Sequence, residues 1–304
     1  MKIALFIPTY NAILDCQDRF AKTLQIIKDA MLDKVLIIDS SSTDNTLDLV
    51  KSFDFDYHVI PKDKFDHGGT RQLALEMLSD MDIIIYITQD VYIESQSSIT
   101  NLTKIFFENP KIAGCYGRQL PHTHADIFAR HLRLVNYPDL GYVRGYSDRY
   151  VFGIRCVFSS DSFAAYKTEA LKKIGGFPDH IIFGEDVYVF AKFLQSGYKI
   201  AYAADAICYH SHNNTILEDF RRYFDIGVFH RSENWILQDF GYASKEGLKF
   251  TLSEWRFLTK KPWLWPKSIF KLMAKYIGYK LGYNYDSIGV RLCRKLTLNK
   301  NFWW

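Results

Sequence analysis

The sequence of 304 residues predicts an α/β fold: a doubly wound, mostly parallel, Rossmann-like sheet followed by a C-terminal helical extension. Short runs of β-branched and aromatic residues alternate with helical apolar spacing over roughly the first hundred residues. The run at 82–90, Asp-Ile-Ile-Ile-Tyr-Ile-Thr-Gln-Asp, is typical of a strand buried on both faces. Beyond Glu233 the strand pattern ends and helical spacing takes over.

The composition indicates a globular protein, because 48% of its residues are hydrophobic and 16% are aromatic. Its five scattered cysteines are an odd number without a C-x-x-C pair, which favours a reduced compartment such as the cytoplasm. Pro8 and Asn11 interrupt the apolar start, so it is interpreted as the first strand and not as a signal peptide. No run is long enough to span a bilayer.

The elements of the first half follow the order expected of right-handed βαβ units. No Gly-x-Gly-x-x-Gly follows the first strand, which argues against a dinucleotide-binding fold. The predicted strands are 3–7, 35–39, 57–61 and 82–90. The first helix between them has Phe20, Leu24, Ile27 and Met31 on one face. The second helix begins near Thr43, and the third runs from about Thr70 to Leu78.

Two segments at predicted strand ends or helix starts are candidates for binding a nucleotide and its diphosphate. Asp39 and Ser41 end the second strand in a polar stretch that can hydrogen-bond a ribose or a base, whereas Asp44 is better explained as a helix N-terminal acid. The segment 65–71 brings two glycines and Arg71 to a helix N-terminus, which suits a diphosphate; the alternative is a plain turn with Arg71 in solvent.

Asp90 ends the central strand and is the first candidate for a metal ligand, although a turn-capping role is the alternative. His210 and His212 follow a later strand, Lys199 to Ala203, with spacing that puts both imidazoles on one side, where they can join a carboxylate on a divalent ion. Two histidines on a surface loop are the competing interpretation.

Two further segments suggest an acceptor side. The stretch from Gly114 to Tyr150 has an irregular pattern and contains Arg118, His122, His124 and Tyr137; its histidines are interpreted as solvated or acceptor-contacting, not as a metal pair. Glu185 and Asp186 start a helix, where one acid is expected to face the crevice as a general base and the other to point outward. Helix N-terminal acids also occur for dipole reasons alone.

Taken together, these residues resemble family 2 glycosyltransferases of the GT-A fold, through about residue 235. The closer resemblance is to bacterial rhamnosyltransferases. It rests on four segments: Phe65-Asp-His-Gly-Gly-Thr-Arg71, Thr88-Gln-Asp90, Tyr116-Gly-Arg-Gln-Leu-Pro121 and Arg222-Tyr-Phe-Asp-Ile-Gly-Val-Phe-His230. Thr88 stands where the family's D-x-D motif has its first acid.

The resemblance implies a role for each group of residues. Asp186, with Glu185 beside it, is the catalytic pair, and Asp90 with His210 or His212 holds Mg²⁺ or Mn²⁺. Arg118, His122 and Tyr137 are assigned to the acceptor. The nucleotide-sugar set is Pro8, Thr9, Tyr10, Asn11, Asp39, Ser41, Asp66, His67, Gly68, Arg71, Gln89 and Asp90.

The predicted domains are a catalytic domain at 1–235, with a nucleotide-sugar half to about 118 and an acceptor half after it, and an extension at 236–304. From Lys245 onward the chain has thirteen Lys and Arg against three acids, although its overall net charge is +4. Trp263 and Trp265 precede an amphipathic helical pattern flanked by lysines, which is typical of an interfacial membrane anchor. A helical cap and a homodimer interface are the alternatives, and no motif indicates nucleic-acid binding.

The resemblance therefore predicts an inverting, metal-dependent transfer of L-rhamnose from dTDP-β-L-rhamnose to a sugar hydroxyl of a lipid-linked polysaccharide. It places the protein in the cytoplasm, peripheral on the inner face of the cell membrane. One alternative is the same scaffold using a UDP-hexose or another nucleotide sugar. The other is a non-catalytic nucleotide-sugar-binding or scaffold protein of a polysaccharide assembly complex.

Overall fold

The computed structural model describes residues 1–242 and 246–303. Its strands are β1 (Ile3–Thr9), β2 (Lys34–Asp39), β3 (Asp56–Val59), β4 (Ile83–Ile87), β5 (Ile112–Leu120), β6 (Tyr142–Arg144), β7 (Phe163–Lys167) and β8 (Lys199–Tyr209). Its helices are α1 (Ala12–Asp29), α2 (Thr46–Ser52), α3 (His67–Met77), α4 (Gln96–Glu108), α5 (Ile127–Asn136), α6 (Arg149–Phe152), α7 (Thr168–Lys173), α8 (Glu185–Gln195), α9 (Ile216–Ser232), α10 (Asn234–Phe240), α11 (Glu246–Phe257), α12 (Trp265–Tyr283) and α13 (Val290–Leu296).

The eight strands form one mixed sheet in the order β3-β2-β1-β4-β7-β5-β8-β6. Pairing is parallel except at β7, which runs antiparallel between β4 and β5, and at β6, antiparallel to β8. The predicted mostly parallel α/β sheet is confirmed. Because β7 runs against its neighbours, its first residues lie at the edge where β4 and β5 end. Polar residues from both strand directions therefore meet at one edge.

The central strand β4 is buried on both faces, as its apolar run predicts. Ile84 and Tyr86 belong to one apolar cluster, and Ile83, Ile85 and Ile87 belong to the cluster on the other face. Helices cover both faces, which is why the strand sequence does not alternate between apolar and polar residues.

Three local predictions are wrong. Met31 lies beyond the end of α1 with a positive φ and is 89% exposed, so it is not on the buried helix face. The stretch from Gly114 to Tyr150 is not irregular, because β5, α5 and β6 occupy much of it. Helix α3 begins at His67 and not at Thr70, since the side chain of Asp66 accepts the Gly69 N–H and caps the helix earlier.

The predicted helical extension is present, and its helix α12 packs along α9 at unusually close range. A Cβ at Gly282 would lie 2.0 Å from the Phe224 carbonyl oxygen, and one at Gly278 would lie 2.3 Å from that of Phe220. The two helix backbones therefore touch with no side chains between them. The predicted boundary after residue 235 falls inside α10.

Lys245, the first residue of the basic C-terminal segment, lies outside the described residues. Within the described ranges, no helix is both long and apolar enough to cross a membrane. All five cysteines are buried free thiols.

Candidate active site

The ends of β1, β2 and β4 are tied together by hydrogen bonds between their loops. Gln89 accepts from the Tyr10 N–H at 2.8 Å and donates to the Tyr10 carbonyl at 3.1 Å. The Asn11 N–H donates to Ser42 Oγ, and Asn11 Oδ1 accepts from the Thr43 N–H. The structure thus brings the predicted nucleotide-binding segments to one edge of the sheet.

Asp39 forms hydrogen bonds within the protein at this edge of the sheet. Its carboxylate is fully buried and accepts from Thr9 Oγ1, the Ser42 N–H and Ser42 Oγ. Ser41 donates from its hydroxyl to the Ile60 carbonyl. These bonds fix the shape of the loop after β2, and contacts of Asp39, Ser41 and the β1 residue Pro8 with a nucleoside stay predictions.

Asp90, His210 and His212 form the candidate metal site. Asp90 Oδ2 lies 3.1 Å from His210 Nε2 and 3.3 Å from His212 Nε2, and the two imidazole nitrogens are 3.0 Å apart. The ligand atoms of the three residues all lie within 4.8 Å of one another. His210 is buried, whereas His212 is exposed on the solvent side.

Neighbouring polar side chains hold these ligands in place. His210 Nδ1 lies 2.9 Å from Gln119 Oε1, which can only accept. With Nδ1 directed at that oxygen, Nε2 is the imidazole nitrogen that faces Asp90. Thr88 Oγ1 donates to the other Asp90 oxygen at 2.6 Å.

The electrostatics suit a cation at this position. Burial alone would raise the pKa of Asp90, but the charge and hydrogen bond of His210, with His212 and Thr88, hold it far below its usual range. Burial and the neighbouring His210 lower the pKa of His212 to about 4. A carboxylate and two imidazoles are an ordinary donor set for a divalent ion, so these residues fit one.

A buried ion-pair network lies around the start of α8. Arg71 is 4% exposed; its Nε lies 3.0 Å from Asp161 and its Nη1 3.0 Å from Glu185. The solvent alternative for Arg71 is thereby excluded, and its guanidinium is occupied by carboxylates and not free for a diphosphate. The expectation that one of the two helix acids points outward is also wrong, because Glu185 is buried against Arg71.

Asp186 is the partly buried member of this cluster. Its Oδ2 accepts from the Asp161 N–H at 3.2 Å. Burial raises the pKa of Asp186 well above its usual range, and the charges of Asp161 and Glu185 raise it further. Burial likewise raises the pKa of Asp161 to about 6, against the opposing effect of Arg71. Arg71 is ion-paired to Asp161 and Glu185, and Asp186 lies beside these two carboxylates, so Asp186 has the highest proton affinity of the three.

A short chain of hydrogen bonds connects the metal site with this carboxylate cluster. Gln119 accepts from His210 and donates from its Nε2 to Ser160 Oγ at 2.7 Å. Ser160 directly precedes Asp161, whose N–H binds Asp186. Asp90, the two histidines and Asp186 are therefore neighbours at one edge of the sheet.

Two arginines add positive charge between these groups. Arg133 donates to Gln119 Oε1 at 2.5 Å, and the Arg222 guanidinium lies 5.3 Å from the centroid of the Phe183 ring. Burial and the nearby Arg133 charge lower the pKa of Arg222. Within the described part of the chain, neither arginine forms an ion pair with a carboxylate. Two unneutralised guanidinium groups side by side suit an anionic ligand.

The predicted acceptor residues have different environments. Tyr137 is 2% exposed and packs in the core against Tyr116 and Phe158, so the prediction that its ring contacts an acceptor is corrected. His122 is buried near Asp90 and His210, close enough for their charges to affect its pKa, which burial lowers to about 4. Arg118 lies partly buried on β5, and its acceptor contact stays a prediction.

The segment 65–69 lies beside a cavity of about 440 Å³, which Asp66 and His67 line together with C-terminal residues that include Asn299 and Phe302. Packing requires a glycine at position 68, because a Cβ there would lie 1.9 Å from the Pro178 carbonyl oxygen. The predicted ligand contacts of Asp66, His67 and Gly68 stay predictions.

Sequence reasoning missed Gln119, Asp161 and Arg133, and it noted Arg222 only as part of a motif. Gln119 stands in the quoted segment Tyr116 to Pro121, so its signal was present. Asp161 ends a polar stretch before a strand, and only an antiparallel strand brings that end to the site.

Comparison with known proteins identifies the family. Residues 4–175 match glycosyl transferase family 2. The chain is 42% identical over 307 aligned positions to the O-antigen chain rhamnosyltransferase RfbN of Salmonella typhimurium, covering 100% of this chain and 96% of the relative. It is 39% identical to the O-antigen chain rhamnosyltransferase WbaN of Salmonella anatum, covering 98% and 95% of the two chains.

Solved structures share the fold at low sequence identity. A mannosyltransferase from Pyrobaculum calidifontis, in complex with GDP-Man and Mn²⁺, superposes with a TM-score of 0.56 at 17% identity, covering 99% of this chain and 84% of that one. TarS residues 1–349 of S. aureus, in complex with UDP, gives 0.55 at 13% identity, covering 94% and 91%. The sheet, the polar strand ends and these relatives agree: the chain is a glycosyltransferase of the GT-A fold and belongs to glycosyl transferase family 2.

Proposed function

We propose that this enzyme transfers L-rhamnose, with inversion, from dTDP-β-L-rhamnose to a sugar hydroxyl of a growing lipid-linked O-antigen. The relatives named O-antigen chain rhamnosyltransferases, similar over their full length, support the sugar and the product class. The observation that carries the chemistry is the hydrogen-bond chain joining Asp90 and His210 to Asp186 through Gln119. It supports one site in which ion, diphosphate and base act together.

Each group of residues has a distinct task in this proposal. Asp186, in its ionised form, accepts the proton of the acceptor hydroxyl as that oxygen attacks the anomeric carbon. Its raised pKa makes it a stronger base than an ordinary aspartate. Asp161 and Glu185 are ion-paired to Arg71 and hence not free to act as a second nucleophile. One base without a nucleophile favours a single displacement with inversion.

The departing diphosphate is proposed to meet positive charge on its other side. Arg133 and Arg222 would bind its oxygens by charge-assisted hydrogen bonds. Asp90, His210 and His212 would hold a divalent ion, Mg²⁺ or Mn²⁺, which neutralises developing charge on the leaving group. The Mn²⁺ bound by the mannosyltransferase of the same fold supports the metal.

The exposed side of the extension supports attachment to an anionic membrane surface, where a lipid-linked acceptor would be found. Trp263, Phe270, Met273 and Tyr276 are each more than half exposed, although large apolar side chains are usually covered. Lys260, Lys261, Lys267 and Lys280 are exposed on the same extension. Aromatic side chains with basic neighbours match the chemistry of an anionic lipid interface, which supports the proposed peripheral position on the cytoplasmic face.

A donor panel tests the reaction. The enzyme is incubated with acceptor and with dTDP-β-L-rhamnose, UDP-glucose or GDP-mannose, each in Mn²⁺, in Mg²⁺ and in excess EDTA. We expect release of dTDP from the rhamnose donor only with metal, and a product of opposite anomeric configuration by NMR. If the enzyme prefers a UDP-hexose, the proposed donor is wrong. If it is fully active in EDTA, the proposed metal requirement is wrong.

The rival from another class is a non-catalytic nucleotide-sugar-binding scaffold. It predicts that Asp186→Asn binds dTDP and leaves turnover of every donor at the wild-type value. The transferase predicts normal dTDP binding and lost turnover, so the two measurements together separate the hypotheses.

A further inference from the structure

The segment that carries the metal-site histidines is held at both ends, and one of its supports comes from the C-terminal extension. At its start, the His210 N–H donates to the Leu120 carbonyl at 2.9 Å. Further along, Ser211 Oγ accepts from the His122 N–H. His212 is exposed, and its imidazole contacts the side chains of the other two site residues. Its position therefore depends on the backbone that follows it.

That following backbone is bound by Lys271 of α12. Lys271 Nζ donates to the Asn214 carbonyl at 2.5 Å and to Asp219 Oδ2 at 2.7 Å. Asn214 Nδ2 in turn donates to Asp219 Oδ1 at 3.2 Å. Lys271 is 3% exposed, so its ammonium has exchanged water for these partners. The arrangement is a closed triangle of buried bonds two residues beyond His212.

We propose that Lys271 is a positioning residue for the candidate metal site, through which the C-terminal helix α12 holds the histidine segment in its ligating position. The inference rests on the proposed metal-dependent transfer. In this proposal the C-terminal extension helps to position the metal ligands, in addition to its proposed contact with lipid. Groups that orient metal ligands from outside the ligand set typically contribute about 10- to 100-fold to metal affinity.

Lys275 provides a matched control. Its Nζ lies 3.8 Å from the same Asp219 oxygen, on the same helix, but makes no hydrogen bond to the Asn214 carbonyl. Replacing either lysine by methionine removes one positive charge near Asp219. Only Lys271→Met also removes the bond to the histidine segment.

The test measures Mn²⁺ binding by calorimetry without donor, on full-length protein whose folding is checked by thermal unfolding. Lys271→Met is expected to bind Mn²⁺ about 10- to 100-fold more weakly than wild type, and Lys275→Met within about twofold. Lys271→Met removes the closer ammonium partner of the buried Asp219 carboxylate, so Lys271→Met/Asp219→Asn is measured as well. If the double variant binds like wild type, Lys271 only neutralises Asp219 and the inference is overturned.

A readout without metal separates this inference from the metal assignment. Amide hydrogen exchange of residues 211–214 in the metal-free protein is expected to be faster in the double variant than in wild type and unchanged in Lys275→Met. Unchanged exchange in the double variant would overturn the positioning role. Wild-type protein that binds no Mn²⁺ would instead overturn the metal assignment, while the exchange result would still decide whether Lys271 holds the segment.

Discussion

As the proposed general base, Asp186 would serve catalysis at the expense of stability. It lies beside Asp161 and Glu185, the two carboxylates that are ion-paired to Arg71, and its pKa is raised by burial and by both neighbours. Ionising it inside the folded protein is costly, but the ionised group is a correspondingly strong base.

Asp186→Asn is therefore expected to reduce kcat by about 10²- to 10⁴-fold, because the acceptor hydroxyl loses its proton acceptor. In wild type, kcat/KM should rise with pH through the raised pKa, so the acidic limb lies above the range of an ordinary aspartate. The measurement is a pH profile of initial rates. Wild-type activity that is already maximal near pH 4 would contradict the raised pKa.

The same substitution is expected to preserve or increase stability. A carboxyl whose pKa is raised by folding contributes stability below its unfolded pKa, about 3.9, and loses that contribution as pH rises through the folded pKa. Asparagine does not titrate, so the Tm of Asp186→Asn minus the Tm of wild type should increase as the pH rises from about 4 towards neutrality. Asp205→Asn, on the surface of β8, should show no such trend.

Arg222 gives a second residue-scale prediction. Arg222→Met removes one of two guanidinium groups without carboxylate partners, so kcat/KM for the donor should fall about 10²-fold, as for loss of a transition-state donor. The control is Arg231→Met on the same helix, whose partner is the exposed Asp286. Exposed ion pairs contribute little, so its kinetics should match wild type. Equal kinetics for both variants would remove Arg222 from the site.

At the scale of elements, the glycines between α9 and α12 make a sharp stability prediction. A Cβ at Gly282 would meet the Phe224 carbonyl at 2.0 Å, so Gly282→Ala must push two helix backbones apart. We expect a loss of about 1–3 kcal/mol, seen as a Tm several degrees lower. Gly247→Ala in α11 is the control, because nothing lies within 4 Å of its Cβ position and alanine favours a helix. Equal Tm values would contradict the close packing.

The strands and the site residues at their ends could be predicted from sequence because both depend on local rules. The apolar run of β4 and the acid that follows it specify a buried strand and Asp90 at its carboxyl edge. The antiparallel insertion of β7 depends on long-range pairing, so the approach of Asp161 to Asp186 could not be predicted. Likewise, only the packing of α8 on α3 shows that Arg71 faces carboxylates instead of solvent.

Helix α5 was missed for a different reason. It begins after the cap Asp126 and buries Phe128, Ala129 and His131, but it lies between Pro121 and Pro138, which mark turns in a local interpretation. A buried histidine on its inner face also weakens the apolar period. The position of Arg133 beside Gln119 follows from this helix and could not be derived without it.

At the scale of the whole molecule, the uncovered apolar face predicts binding to lipid. Replacing Trp263, Phe270 and Tyr276 together by serine should greatly reduce co-sedimentation with anionic liposomes and leave the fold intact, because these side chains are exposed. Wild-type binding should weaken with salt, since each lysine near the surface contributes roughly 1 kcal/mol.

The matched control replaces three other exposed apolar residues, Leu140, Tyr150 and Val151, by serine. This variant should bind liposomes like wild type. If the first triple variant instead changes from dimer to monomer in solution and binds liposomes normally, the face is a contact between two copies of the chain.

The backbone contact between α9 and α12 also governs how this protein can be shortened. A chain cut before α12 would leave Phe220 and Phe224 facing water and the carboxylate of Asp219 without its ammonium partner. Such a fragment should aggregate, and its failure to bind vesicles would be uninformative. The chain from α12 onward thus supports the rest of the fold, and biochemical dissection of the protein has to proceed by point substitution on an intact polypeptide.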